Sequence, residues 1–167
     1  MTVMLCACIN WPNNRLRYTF HICVAIDISV YIYHALLDKS EFRDIPILKK
    51  LREKAVRQLG SSGKGNHFVD ICEVELPPNN VFGLPGSRYV GILSHSGSRG
   101  LGAAIADYYT AIAKETCRLP RQAGPFAWLS LKSDAGQEYW KCMEIAGEYS
   151  AVNHECIHHN EIGRAHV

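Results

Sequence analysis

Apolar positions recur at steps of three and four between residues 44 and 60. Leu48, Leu51, Ala55 and Leu59 fall on one side of a helical projection, which predicts an amphipathic helix. Asp44 stands where an N-cap belongs. Pro46 falls in the first turn, where its missing N–H costs little, and Gly60 supplies the stop. The lysines and arginines of this stretch lie mostly on the opposite side, the pattern of a solvated face. GSSGKGNHFVDICEVEL, residues 60–76, follows: a Gly/Ser turn that leads into a β-rich segment. Residues 77–87, PPNNVFGLPGS, read as a loop, and RYVGILSH, residues 88–95, as a strand. After Gly100, Leu101, Ile105, Tyr108 and Ile112 form a helical stripe that LPRQAGP breaks. A last helix is expected to begin at Asp134, with Gln137 at capping-box spacing. Tyr139, Met143, Ala146 and Ile157 would line its apolar side. Residues 1–43 show no such plan and are expected to be an atypical segment, of intronic or misassembled origin.

The 167 residues suffice for one domain, and 47% of them are hydrophobic, enough to bury a core. A formal charge of +2 excludes bulk charge as the basis of nucleic-acid binding, so any basic site must be local. Seven cysteines are scattered with no C-x-x-C pair, which argues against a zinc ribbon and against a secreted disulfide scaffold. They read as small buried hydrophobes in a reducing, cytoplasmic setting. The most apolar run, residues 20–37, carries His21, Asp27 and His34 and many β-branched residues. It fits buried strands better than a membrane span.

Two glycine-rich turns concentrate the chemistry: Gly63-Lys64-Gly65-Asn66-His67-Phe68 and His95-Ser96-Gly97-Ser98-Arg99-Gly100. The first is not a P-loop, because Lys64 is followed by glycine rather than Ser or Thr. Glycines let backbone amides approach an anion, and Gly100 leads into a helix whose N-terminal end favours phosphate. Arg99 could fork onto phosphate oxygens. His67 and His95 offer borderline imidazole ligands suited to zinc, manganese or iron, and Asp70 could accept from a sugar or base or orient a ligand. Taken one at a time, each residue also has a plain structural reading as turn, core or surface ion pair. Taken together, they point to a metal beside a phosphate.

QLGSSGKGNHFVDICEVEL and LSHSGSRGLG together resemble the RNA-splicing ligase RtcB family, and AGQEYWKCMEIAGEYSAVNH resembles its following helix with an A-N-[RH] ending. The resemblance covers roughly residues 45–160 in the right order. It implies an α+β fold with a mixed or antiparallel sheet and packed helices, forming part of an RtcB-like domain. It also implies a GTP- and Mn²⁺-dependent RNA ligase that joins 3′-phosphate or 2′,3′-cyclic phosphate ends to 5′-hydroxyl ends through a guanylylated histidine. The expected partner is RNA, either tRNA halves or broken ends, with no membrane.

Position by position, the resemblance makes His67 and His95 metal ligands. Asn66, His67, Phe68, Val69 and Asp70 match the family's guanylate-contacting N-H-F-x-E, with Asp70 one methylene shorter than the usual Glu. Arg99 matches an arginine near the RNA or phosphate path. Lys64 stands where the family usually has a small residue.

The family's Asp-x-x-Cys metal pair is not matched, since Asp27 lacks the cysteine and lies too close to Asn66. No histidine matches the guanylylated one. His158-His159-Asn160 superficially resembles another family string but reads as the end of the last helix. The chain is therefore expected to hold part of a site and to be inactive alone. The alternatives are a non-catalytic metal- or nucleotide-binding module and a plain structural domain. Residues 161–167, EIGRAHV, back-translate into common sequencing-adapter text and are expected to be read-through; residues 44–160 would be the family segment.

Overall fold

The computed structural model describes residues 5–7, 18–19, 33–63 and 67–164. It is α+β, with two compact units. The first comprises Met1–Val30, Gly60–Ser96 and His154–Val167; the second comprises Tyr31–Leu59 and Gly97–Asn153.

The first unit is built on a hairpin. Strands β3 (Phe68–Leu76) and β4 (Ser87–His95) pair antiparallel along their whole length, from Phe68 opposite His95 to Leu76 opposite Ser87. Two short strands flank them: β1 (Leu5–Ala7) runs parallel to β4, and β2 (Tyr18–Thr19) runs antiparallel to β3. The sheet order is β1-β4-β3-β2, so the sheet is mixed. Asn80 closes the hairpin loop, its amide donating to the carbonyls of Pro77 (2.9 Å) and Leu84 (2.7 Å).

Directly opposed residues share a face of the sheet, and successive residues alternate. On one face Cys72, Val74, Leu76 and Leu93 pack with Leu84 and Tyr89. On the other, Val69 and Ile92 pack on Ile157 of α4 (Asp134–Arg164). Ser94 lies opposite Val69, on the α4 side. Phe68, Asp70 and His95 lie on the other side.

The second unit is helical. Helix α1 (Glu41–Asp44) is a single turn, and α2 runs Pro46–Gln58. Asp44 is not the cap of α2. Ile45 is, with extended backbone (φ −91°, ψ 118°) and no side-chain cap bond. The physical reason is Pro46, whose ring pushes the preceding residue out of the helical region and splits the helix in two. Gly60 follows α2 at φ 75°, a conformation that glycine adopts at no steric cost.

Helix α3 (Arg99–Thr116) buries Leu101, Ile105, Tyr109 and Ala113. The expected stripe through Tyr108 and Ile112 is thus rotated by one residue: Tyr108 is 41% exposed and Tyr109 is 1% exposed. Tyr109 stacks on Tyr139 of α4 with ring centres 4.8 Å apart, and its hydroxyl donates to Glu138 (2.6 Å).

Helix α4 is capped by Ser133 rather than by the expected Asp134–Gln137 box. The Ser133 hydroxyl accepts from the Gly136 N–H (3.2 Å), and Ser133 C=O takes the first helical bond from Gln137. The helix buries Cys142, Ile145 and Tyr149 in this unit, while Met143 is exposed. The Tyr149 hydroxyl donates to Ala55 C=O of α2 (2.8 Å). The helix continues to Arg164, so His158-His159-Asn160 lies inside it rather than at its end.

Among the described residues, Cys72, Cys142 and Cys156 are buried cysteines outside any disulfide. Burial pushes the thiols of Cys142 and Cys156 above their ordinary value, which suits packing rather than reactivity. No helix among the described residues is long and apolar enough to cross a membrane.

Candidate metal and nucleotide site

Strand register brings the two histidines together. His67 is the residue before β3, His95 is the last of β4, and β3 begins with Phe68 opposite His95. The ring centres of His67 and His95 lie 5.8 Å apart with planes inclined at 57°. Two imidazoles bonded at ~2.1 Å to one ion hold their centres roughly 5 Å apart in a tetrahedral arrangement and about 6.5 Å apart at most, so the pair is within reach of one ion or of two neighbouring ions. His67 is half-buried and His95 is exposed, so a ligand can reach them.

Phe68 packs its ring 5.6 Å from that of His95. Asp70, half-buried, lies two positions along on the same face. Val69 does not. Its side chain is 1% exposed, in the core with Ile92 and Ile157, so only its backbone is left to touch a nucleotide. Asn66 and Lys64 lie outside the described residues.

Within this unit the first glycine turn is tied to Ser96. Ser96, just after His95, donates its hydroxyl to Ser62 C=O (2.8 Å) in the turn before His67. Gly63 in that turn has φ 117°, reachable in practice only by glycine.

Arg99 belongs to the second unit, where it opens α3. It is the one non-glycine residue with positive φ (55°) among those described, and holding an L-residue there costs about 1–2 kcal/mol. The neighbouring helix terminus is not an open anion cradle at Gly100, whose N–H already donates to the Gln58 side chain (3.2 Å). A Cβ at Gly100 would run into Lys54.

Two further histidines come from α4. Ser94 Oγ lies 3.0 Å from His154 Nδ1 and 2.7 Å from His158 Nε2, and His154 Nε2 lies 2.9 Å from Ser96 C=O. The sequence carried a signal for them: His154-Glu155-Cys156-Ile157-His158 has the H-E-x-x-H spacing that puts two imidazoles on one helix face.

A groove of about 740 Å³ opens at the other end of the hairpin, beside Glu75, Pro78, Gly86 and Arg88. Eight strand steps separate it from His95, roughly 26 Å, so it is not part of the histidine site. Among the described residues, no group of three or more His, Cys, Asp or Glu is placed to hold a metal. His67 and His95 therefore supply two imidazoles side by side, with no third such side chain placed beside them among the described residues.

Comparison with known proteins places the chain. The family described as tRNA-splicing ligase RtcB matches residues 36–164, taking in 36–43 and 161–164 as well as the expected 44–160. The chain is 30% identical to a tRNA-splicing ligase RtcB of Thermococcus kodakarensis over 120 residues, 68% of this chain and 25% of that protein. It is 33% identical to the Methanocaldococcus jannaschii protein of the same name over 119 residues, 66% of this chain and 12% of that protein. It is 29% identical to the RNA-splicing ligase RtcB homolog 1 of Entamoeba histolytica over 115 residues, 66% of this chain and 22% of that protein. The chain thus spans a quarter or less of the length of these relatives. A family match over more than three quarters of its residues makes this chain a member of the RtcB family.

Proposed function

We propose that the chain is a segment of a GTP- and Mn²⁺-dependent RNA ligase and carries two of its metal-binding imidazoles, on His67 and His95. The observation that supports this is their approach to 5.8 Å at the open end of the hairpin. The metal would supply charge neutralisation at a reacting phosphate. Imidazole alone does not select Mn²⁺ over Zn²⁺ or Fe²⁺, so the choice of Mn²⁺ rests on the family. Asp70 and Asn66 would accept from and donate to the guanylate, with Phe68 walling the histidine side. Arg99 would bind an RNA phosphate. Guanylylation needs a histidine nucleophile that these 167 residues do not match, so the isolated chain binds without turnover.

The test is a chimera in which residues 44–160 replace the matching segment of a full-length relative. Joining of a 2′,3′-cyclic phosphate end to a 5′-hydroxyl end, lost with His67→Ala or His95→Ala, is the expected result. A folded chimera that binds RNA but never ligates, or that ligates equally well with both histidines changed, contradicts the reading.

A further inference from the structure

His95 is held from behind. The residue before it, Ser94, points to the α4 face of the sheet, and its side chain is 3% exposed among aliphatic neighbours. A buried hydroxyl in such a place is costly unless it is bonded. Here the bonding is complete and directional. Ser96 C=O can only accept, so His154 Nε2 carries the proton. In neutral His154 the other nitrogen, Nδ1, then accepts from the Ser94 hydroxyl. The Ser94 oxygen in turn accepts from His158 Nε2–H. The relay runs His158 to Ser94 to His154 to Ser96, with each donor used once. The Ser96 hydroxyl is committed as well, to Ser62. Both residues beside His95 are therefore anchored, one by its side chain and the other by its carbonyl and hydroxyl.

The H-E-x-x-H spacing does not make a zinc site in this arrangement. Both ring nitrogens of His154 are already engaged, and its only open role is as a hydrogen-bonding partner.

We propose that His154 and His158 are positioning residues that fix the direction of the His95 imidazole through Ser94 and Ser96. The placement of His95 against Phe68 and His67 follows from strand register together with this relay. The consequence for metal binding rests on the proposed function, and the test separates the two.

The experiment uses the full chain with ¹⁵N-labelled histidine and two readouts. One is the ring-to-ring NOE between His95 and Phe68, measured without metal. The other is Mn²⁺-induced broadening of the His67 and His95 ring signals. The variants are His154→Ala, His158→Gln, and a triple change, Ser94→Ala with His154→Leu and His158→Leu. The triple variant removes the relay while keeping the region packed, and so serves if His154→Ala unfolds.

His154→Ala and the triple variant are expected to cut the His95–Phe68 NOE at least twofold and to raise the Mn²⁺ midpoint by about tenfold, the range for partners that orient a ligand. His158→Gln, which restores an N–H donor to Ser94, should leave both near wild type. An unchanged NOE in the folded triple variant overturns the proposal whatever the metal does. A lost NOE with no Mn²⁺ broadening of either ring in the wild type supports the positioning role and overturns the metal reading instead.

Discussion

The rings of Phe68 and His95 face each other across the strand pair, 5.6 Å apart and inclined at 32°. Phe68 is 36% exposed, so this contact is a wall for the histidine more than a part of the core. Phe68→Ala should therefore cost little stability, about 1 kcal/mol or less, the worth of one cross-strand pair. It should still weaken Mn²⁺ binding. Urea denaturation and Mn²⁺ titration of the same variant check this. A loss of several kcal/mol would mean that Phe68 is a core residue and that the site has been misplaced.

In the second unit, the buried Tyr109 hydroxyl donates to Glu138 and meets Cys142 Sγ at 3.5 Å. Burial, then the hydrogen bonds to Glu138 and Cys142, push the phenol well above its ordinary range, so it stays a donor at any working pH. Tyr109→Phe keeps the ring and its stack on Tyr139 but removes that donor. The expected cost is about 1–2 kcal/mol in urea denaturation. An unchanged midpoint would show that Glu138 finds an equal partner in water.

His158 gives the fold a pH dependence of known sign. Burial first, and the neighbouring His154 second, lower its pKa from the ordinary 6.5. The unfolded chain therefore binds the proton more readily than the folded one. The stabilising contribution is complete above about pH 6.5 and is lost as the pH falls toward the depressed folded value. The urea midpoint should decline between pH 7.5 and 5.5, and His158→Gln should flatten that decline. A midpoint that rises on acidification would contradict the buried, neutral assignment.

Arg99 holds a left-handed backbone at the start of α3. Arg99→Gly and Arg99→Ala both remove the guanidinium, and only the alanine keeps the Cβ penalty. The glycine variant should be more stable than the alanine variant by about 1 kcal/mol, the reverse of the order in a helix interior. Equal stabilities, or a more stable alanine, would refute the positive φ.

Helix α2 was legible because its apolar residues, Leu48 and Ala55 among them, keep one helical period, and the two glycine turns because they combine rare residues. What escaped has local causes. Pro46 overrode the capping preference of Asp44 by forcing Ile45 extended. Tyr108 and Tyr109 are chemically equal neighbours, so periodicity alone could not choose which one enters the core; the stack on Tyr139 does. Met143 yielded its inward position to Cys142 for the same reason of phase. The role of His154 and His158 was hidden because their partner, Ser94, is 60 positions away from the first in sequence. The H-E-x-x-H spacing shows that two imidazoles share a face, but only the sheet shows that the face meets a serine.

As proposed, His67 and His95 belong to one metal site. Mn²⁺ binding to the wild-type chain, to His67→Ala, to His95→Ala and to the double variant, followed by the electron paramagnetic resonance of free Mn²⁺, tests it most directly. Weak binding by the wild type is expected, with a loss of at least about tenfold in either single variant and little further loss in the double, because removing one ligand already dismantles the site. Tight, stoichiometric binding that none of the changes disturbs, or losses in the two single variants that simply add, would contradict it.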